Sequence, residues 1–168
     1  LKDNQSWSDG SYWSSGLGTG MDNMESRVPK GVHQCLSNAH MIWADVNFQQ
    51  IISGGVLLEM AKLLGREDEE TVAEIACEHE YLKMVNEKLW DDKTSYYYDL
   101  WQNDEFNYVK SIGAYWSLLA EVVPKDKIDK FVAHLENEKE FNRPHRVPTV
   151  SADDPHYNEY GGYWNGAV

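Results

Sequence analysis

Between residues 16 and 31 the chain reads GLGTGMDNMESRVPKG. Gly16, Gly18 and Gly20 lead to Asp22, and Arg27 follows five residues later. Glycines permit backbone geometries closed to other residues, so such a run can bring a carboxyl close to a ligand. A carboxyl held there can exchange a proton with a substrate, and a nearby guanidinium can orient or pair with a carboxylate. Taken alone, the stretch is equally compatible with an ordinary surface turn carrying a structural ion pair.

Other chemistries find less support. The stretch follows no strand and lacks the Lys-Ser/Thr ending of a phosphate loop. His33, His40, His79, His134, His145 and His156 show no zinc spacing, and no 12-residue calcium loop is present. Cys35 and Cys77 follow no ligand spacing either, and Cys77 falls within a helical pattern as a buried thiol. Neither a metal nor a cofactor is expected. The cysteines indicate no redox compartment, and nothing else indicates a location.

The chain has the length of one domain, 168 residues, with a globular 42% of hydrophobic residues. Seven Trp and ten Tyr are available to fill a core or to stack on ring-shaped ligands. Acidic residues outnumber basic ones by 28 to 15, a formal charge of −13. Without a basic run, that balance argues against nucleic acid and against an anionic membrane surface as partners. No apolar run approaches the roughly 20 residues of a membrane span. No signal-peptide pattern is present, and the first residue, Leu1, leaves an upstream segment open.

The elements that must position these residues read as follows. Residues 1–39 are rich in Gly, Ser, Asn and Asp and show no sustained period, a long loop. Met41, Val46, Ile51, Ile52, Leu57, Leu58, Ala61 and Leu64 trace an apolar helix face over 40–64, with Gly65 as its C-terminal cap. Gly54 and Gly55 mark a close helix contact. A second helix is expected over 67–90, with Glu67, Asp68, Glu69 and Glu70 at its start. The two make an αα-hairpin. Residues 91–110 hold clustered aromatics, a short β-hairpin or an aromatic loop, in which two of Tyr96, Tyr97 and Tyr98 read as packing rather than binding. Helices over 111–123 and, after Pro124, over 126–137 give a second αα-hairpin. The tail 143–168 is again a loop. The fold class expected is all-α: one domain of αα-hairpins at 40–138, flanked by a loop region at 1–39 and a tail at 139–168.

Five segments, GTGMDNMESRVP, WADVNFQQ, LWDDKTSYYYDL, VPTVSADDPHY and GGYWNGAV, resemble in order and spacing the catalytic domain of glycoside hydrolase family 63 and its trehalase-like relatives. The resemblance covers nearly the whole chain. It implies part of an (α/α)6 toroid, six helical hairpins in a ring with the sugar site at its mouth. It also implies an inverting hydrolase of α-linked glucosides or mannosides, with carbohydrate as the partner. By that resemblance Asp22 is the general acid. Trp43 and Asp45 lie by the sugar, one offering a flat face to the pyranose and the other a carboxylate to its hydroxyls. Trp164 stacks on the sugar behind Gly161 and Gly162. Asp154 and Tyr157 line the same pocket or brace its loop, and Arg27 orients a carboxylate or forms an ion pair.

The family's general base is a glutamate, and no residue of this chain matches it. Glu159 is the only glutamate within 143–168. Inverting hydrolysis needs two carboxyl groups roughly 6.5–9.5 Å apart with a water between, so the isolated chain is expected to show little or no activity. Exposed hairpin edges predict self-association into a homo-oligomer. The alternative reading is a non-catalytic carbohydrate-binding or assembly module derived from such an enzyme.

Overall fold

A computed structural model describes residues 4–21, 24–29, 31 and 40–166. The apolar period after residue 40 becomes helix α2, Ala44–Leu63, preceded in the chain by a single turn, α1, Gly16–Thr19. Gly65 ends α2 at φ 64°, where its amide reaches Lys62 O and the Arg66 amide reaches Ala61 O. This paired closure favours glycine because it demands a left-handed residue. Helix α3, Glu70–Val85, returns antiparallel along α2, shorter at both ends than the pattern implied. The close contact falls where expected: a Cβ added at Gly54 would stand 3.2 Å from the His79 ring. Cys77 corrects an expectation, since it is exposed on α3 rather than buried.

The all-α expectation is also corrected. Two small antiparallel sheets interrupt the helices. Strand β1, Met41–Ile42, pairs with β4, Asp99–Trp101, in the register Met41 to Trp101 and Ile42 to Leu100. On its other side β4 pairs with β5, Phe106–Asn107. Strands β2, Trp90–Asp91, and β3, Tyr96–Tyr97, form a separate hairpin. Aromatic side chains suit a pleated, half-buried surface. Strands of two or three residues are too short to display a period of two.

The second αα-hairpin is corrected as well. Residues 111–123 form a 3-10 turn, Ile112–Tyr115, running into one turn of helix, α4, Trp116–Leu119. The segment starts by pairing with another part of the chain, Ser111 bridging Val150 and the Ile112 amide bonding Thr149 O. It ends at Glu121, whose φ of 56° stops helical propagation. Helix α5, Lys125–Glu136, lies close to its expected place.

Phe131 of α5, fully buried, sits among Tyr96, Tyr97, Trp90 and Tyr115. These rings pack mostly edge to face, the arrangement their quadrupoles favour. Tyr96, Tyr97 and Tyr98 are all buried. Their clustering fills the core that positions β4 and the N-terminus of α2.

Candidate functional site

Arg27 ends a 3-10 turn, Glu25–Arg27, and its side chain is 1% exposed. Its Nε and Nη2 donate to Asp99 at 2.7 and 2.8 Å, while Nη1 and Nη2 donate to Asp45 at 2.9 and 3.0 Å. The guanidinium carbon lies 4.6 Å from the centre of the Trp43 ring. Burial by itself would push the Arg27 guanidinium down, but the carboxylates of Asp45 and Asp99 outweigh it and hold the group above its ordinary value.

One cation between two carboxylates leaves negative charge inside the fold, and the N-terminus of α2 answers it. The Ala44 amide donates to Asp99 Oδ1 and the Val46 amide to Asp45 Oδ1, both at 2.9 Å. Free amides and the helix dipole together favour anions there. Residues 24–29, α2 and β4 are thus joined at one buried ionic node.

A second cluster lies beside this node. Met24, Val109 and Val150 are buried together, with Met21, Tyr157 and Trp164 packed partly exposed against them. Trp164 follows Gly161 and Gly162, whose φ values of 99° and 114° lie in the region that glycine alone enters freely. Asp154 accepts from Ser26 Oγ at 2.6 Å. The loop beneath is secured by Lys110, which pairs with Asp153 at 2.7 Å and with Glu140. Glu140 also meets His134 Nδ1, and His134 Nε2 reaches Thr94 O at 2.9 Å.

The structure therefore gathers the sequence-predicted residues into two adjoining groups. Arg27, Trp43 and Asp45 form the buried node, each about 1% exposed. The Trp43 indole nitrogen has no hydrogen-bond partner among the described residues. Tyr157 and Trp164 present partly exposed rings, with Asp154 bonded beneath them. Asp22, the candidate acid, lies outside the described residues, as do His33 and Cys35. Met21 and Met24, which flank it in sequence, belong to the Tyr157–Trp164 cluster.

Sequence reasoning missed Asp99, Ser26 and His156. The signal for Asp99 was slight, a lone acid within the aromatic run YYYDLW. Among the described residues no group of three or more His, Cys, Asp or Glu could hold a metal ion, and no helix is long and apolar enough to cross a membrane.

Residues 5–168 match the model of the mannosylglycerate hydrolase MGH1-like glycoside hydrolase domain. A solved sialidase superposes on 99% of this chain and 15% of its own, with a TM-score of 0.83 and 18% identity. A GH63 mannosylglycerate hydrolase from Thermus thermophilus, in complex with glucose, gives a TM-score of 0.66 and 21% identity over 75% of this chain and 31% of its own. At such identities the likeness is one of fold. An uncharacterized protein of Borreliella burgdorferi is 30% identical over 84 residues, 50% of this chain and 18% of that protein. The chain spans less than a third of the length of each of these three proteins.

Proposed function

The chain belongs to the MGH1-like glycoside hydrolase family, and on that premise we propose that it carries the acid side of an inverting glycosidase site for α-linked glucosides or mannosides. Asp22 is the general acid, protonating the leaving glycosidic oxygen. Tyr157 and Trp164 form the wall on which the apolar face of a pyranose stacks. Arg27, Trp43, Asp45 and Asp99 act from below, fixing the turn that follows Asp22. The general base comes from a glutamate outside these 168 residues.

The observation that carries the reading is the convergence of Met21 and Met24 on Tyr157 and Trp164. More than 130 residues of chain separate these two segments (157 − 24 = 133 for the nearest pair). Both aromatics stay partly exposed there rather than closing into the core. The Thermus thermophilus enzyme has been solved with glucose and with Tris and D-glycerate, which agrees with a carbohydrate ligand.

Titration of the chain with glucose and with methyl α-mannoside, followed by tryptophan fluorescence, is expected to give a saturable change that Trp164→Ala abolishes. No saturable change would refute the reading. Without its base the isolated chain is expected to release no more than background nitrophenol from nitrophenyl α-glucoside or α-mannoside. Turnover that disappears in Asp22→Asn would keep the acid and overturn the missing base.

A further inference from the structure

Ser26 ties the Glu25–Arg27 turn to the 151–157 loop. Its Oγ lies 2.6 Å from Asp154 Oδ1 and 2.9 Å from His156 Nδ1. A hydroxyl has one proton, and the short contact to a carboxylate takes it. The oxygen can then only accept from the imidazole, which places a proton on His156 Nδ1. The His156 amide donates to the same Asp154 Oδ1 at 2.8 Å. The sequence of donors thus runs from imidazole to hydroxyl to carboxylate, ending on a side chain that is 7% exposed.

The neighbours of Ser26 are anchored by other contacts. Arg27 is held by Asp45 and Asp99, Met24 by Val109 and Val150 in the cluster that Tyr157 and Trp164 pack against, and Asn107 Nδ2 donates to Ser26 O at 3.4 Å. Arg27 thus grips the buried ionic node, while Met24 by packing and Ser26 by hydrogen bonds both meet the segment from Val150 onward. Arg27 and Met24 set where the turn sits. Ser26 alone of the three bonds the loop that leads to Trp164.

We propose that Ser26, Asp154 and His156 form a latch that fixes the 24–27 turn against the aromatic loop, as positioning residues for sugar binding at Tyr157 and Trp164. The proposal rests on the carbohydrate reading above. In it Asp154 acts through Ser26, with its Oδ1 taken by protein donors.

The test compares the 168-residue chain with Ser26→Ala, Ser26→Thr and His156→Ala. Two quantities are read: hydrogen exchange of the 24–28 amides, and affinity for glucose and methyl α-mannoside by tryptophan fluorescence. Ser26→Ala is expected to speed exchange and to weaken binding, each about tenfold, the loss of one charge-assisted hydrogen bond. Ser26→Thr keeps the hydroxyl and is expected to restore both. His156→Ala, at a half-exposed ring, is expected to fall between, and unchanged far-ultraviolet circular dichroism excludes general unfolding as the cause. Unchanged exchange in Ser26→Ala overturns the latch, whatever the sugar result. Faster exchange with unchanged affinity overturns the positioning role. Faster exchange in a protein whose wild type binds no sugar supports the latch and refutes the carbohydrate reading beneath it.

Discussion

Replacing Arg27 by methionine keeps an unbranched side chain of similar reach but removes the charge and all four hydrogen bonds to Asp45 and Asp99. The carboxylates are 1% and 5% exposed, so water cannot take the place of the guanidinium without opening the fold. Removing one partner of a buried ion pair costs about 3–5 kcal/mol. Here two carboxylates lose their cation, but the amides of Ala44 and Val46 and the dipole of α2 remain. The expected loss is about 4 kcal/mol, a large share of the roughly 5–15 kcal/mol that holds a domain folded. In urea, at a slope of about 2 kcal/mol per molar, the midpoint falls by about 2 M. The triple variant Arg27→Met, Asp45→Asn, Asp99→Asn removes the stranded charges and should recover part of the loss, since two buried neutral amides cost less than two buried unpaired carboxylates. A loss below about 1 kcal/mol for Arg27→Met alone would refute the buried node, as would a triple variant no more stable than the single one.

Further outcomes are expected elsewhere in the molecule. Glu121 closes α4 in the left-handed region, with its amide on Leu118 O and that of Val122 on Ser117 O. Glu121→Gly should therefore stabilise by about 0.5–1 kcal/mol, raising the melting temperature by about 2 °C, and a fall would contradict the strained cap. Burial raises the Tyr96 and Tyr115 phenols above 10.0, and Asp153 and Glu140 outweigh burial to raise Lys110 above 10.5. All three groups keep protons that the unfolded chain releases, so their contribution is complete at neutral pH and is lost as pH rises past about 10. Tyrosinate absorbance and loss of near-ultraviolet circular dichroism should then rise together; tyrosinate forming while the fold persists would count against the buried rings. Val56, Leu57, Met60, Leu63 and Leu64 of α2 and its end are exposed, together with Leu119. Light scattering is expected to show self-association, and a clean monomer at micromolar concentration would speak against it.

Helices α2 and α3 were legible because their order is local: an apolar period of 3.6, a glycine past the end and acids before the start act within a few residues of one another. The same apolar spacing over 111–123 misled, since it carries no record that Ser111 bridges Val150 or that the chain turns at Glu121. The β-hairpin reading of 91–110 anticipated strands there, but the strand that joins them from outside was hidden for a related reason. Met41 and Ile42 become a strand only because β4 arrives beside them from some sixty residues away (101 − 41 = 60).

The candidate site divides along the same line. Residue types pointed to Arg27 as able to do polar chemistry, and the family resemblance pointed to Trp43, Asp45 and, behind its two glycines, Trp164. They left open whether Arg27 orients a ligand's carboxylate or pairs within the protein. Tertiary structure decided that its guanidinium is taken up by Asp45 and Asp99, and that Ser26 bonds Asp154 and His156. A side chain's chemistry is intrinsic to the residue and can be read from the sequence. Its partner depends on which distant segments the burial of Phe131, the tyrosines and Trp43 draws together, and that is a property of the whole packed chain.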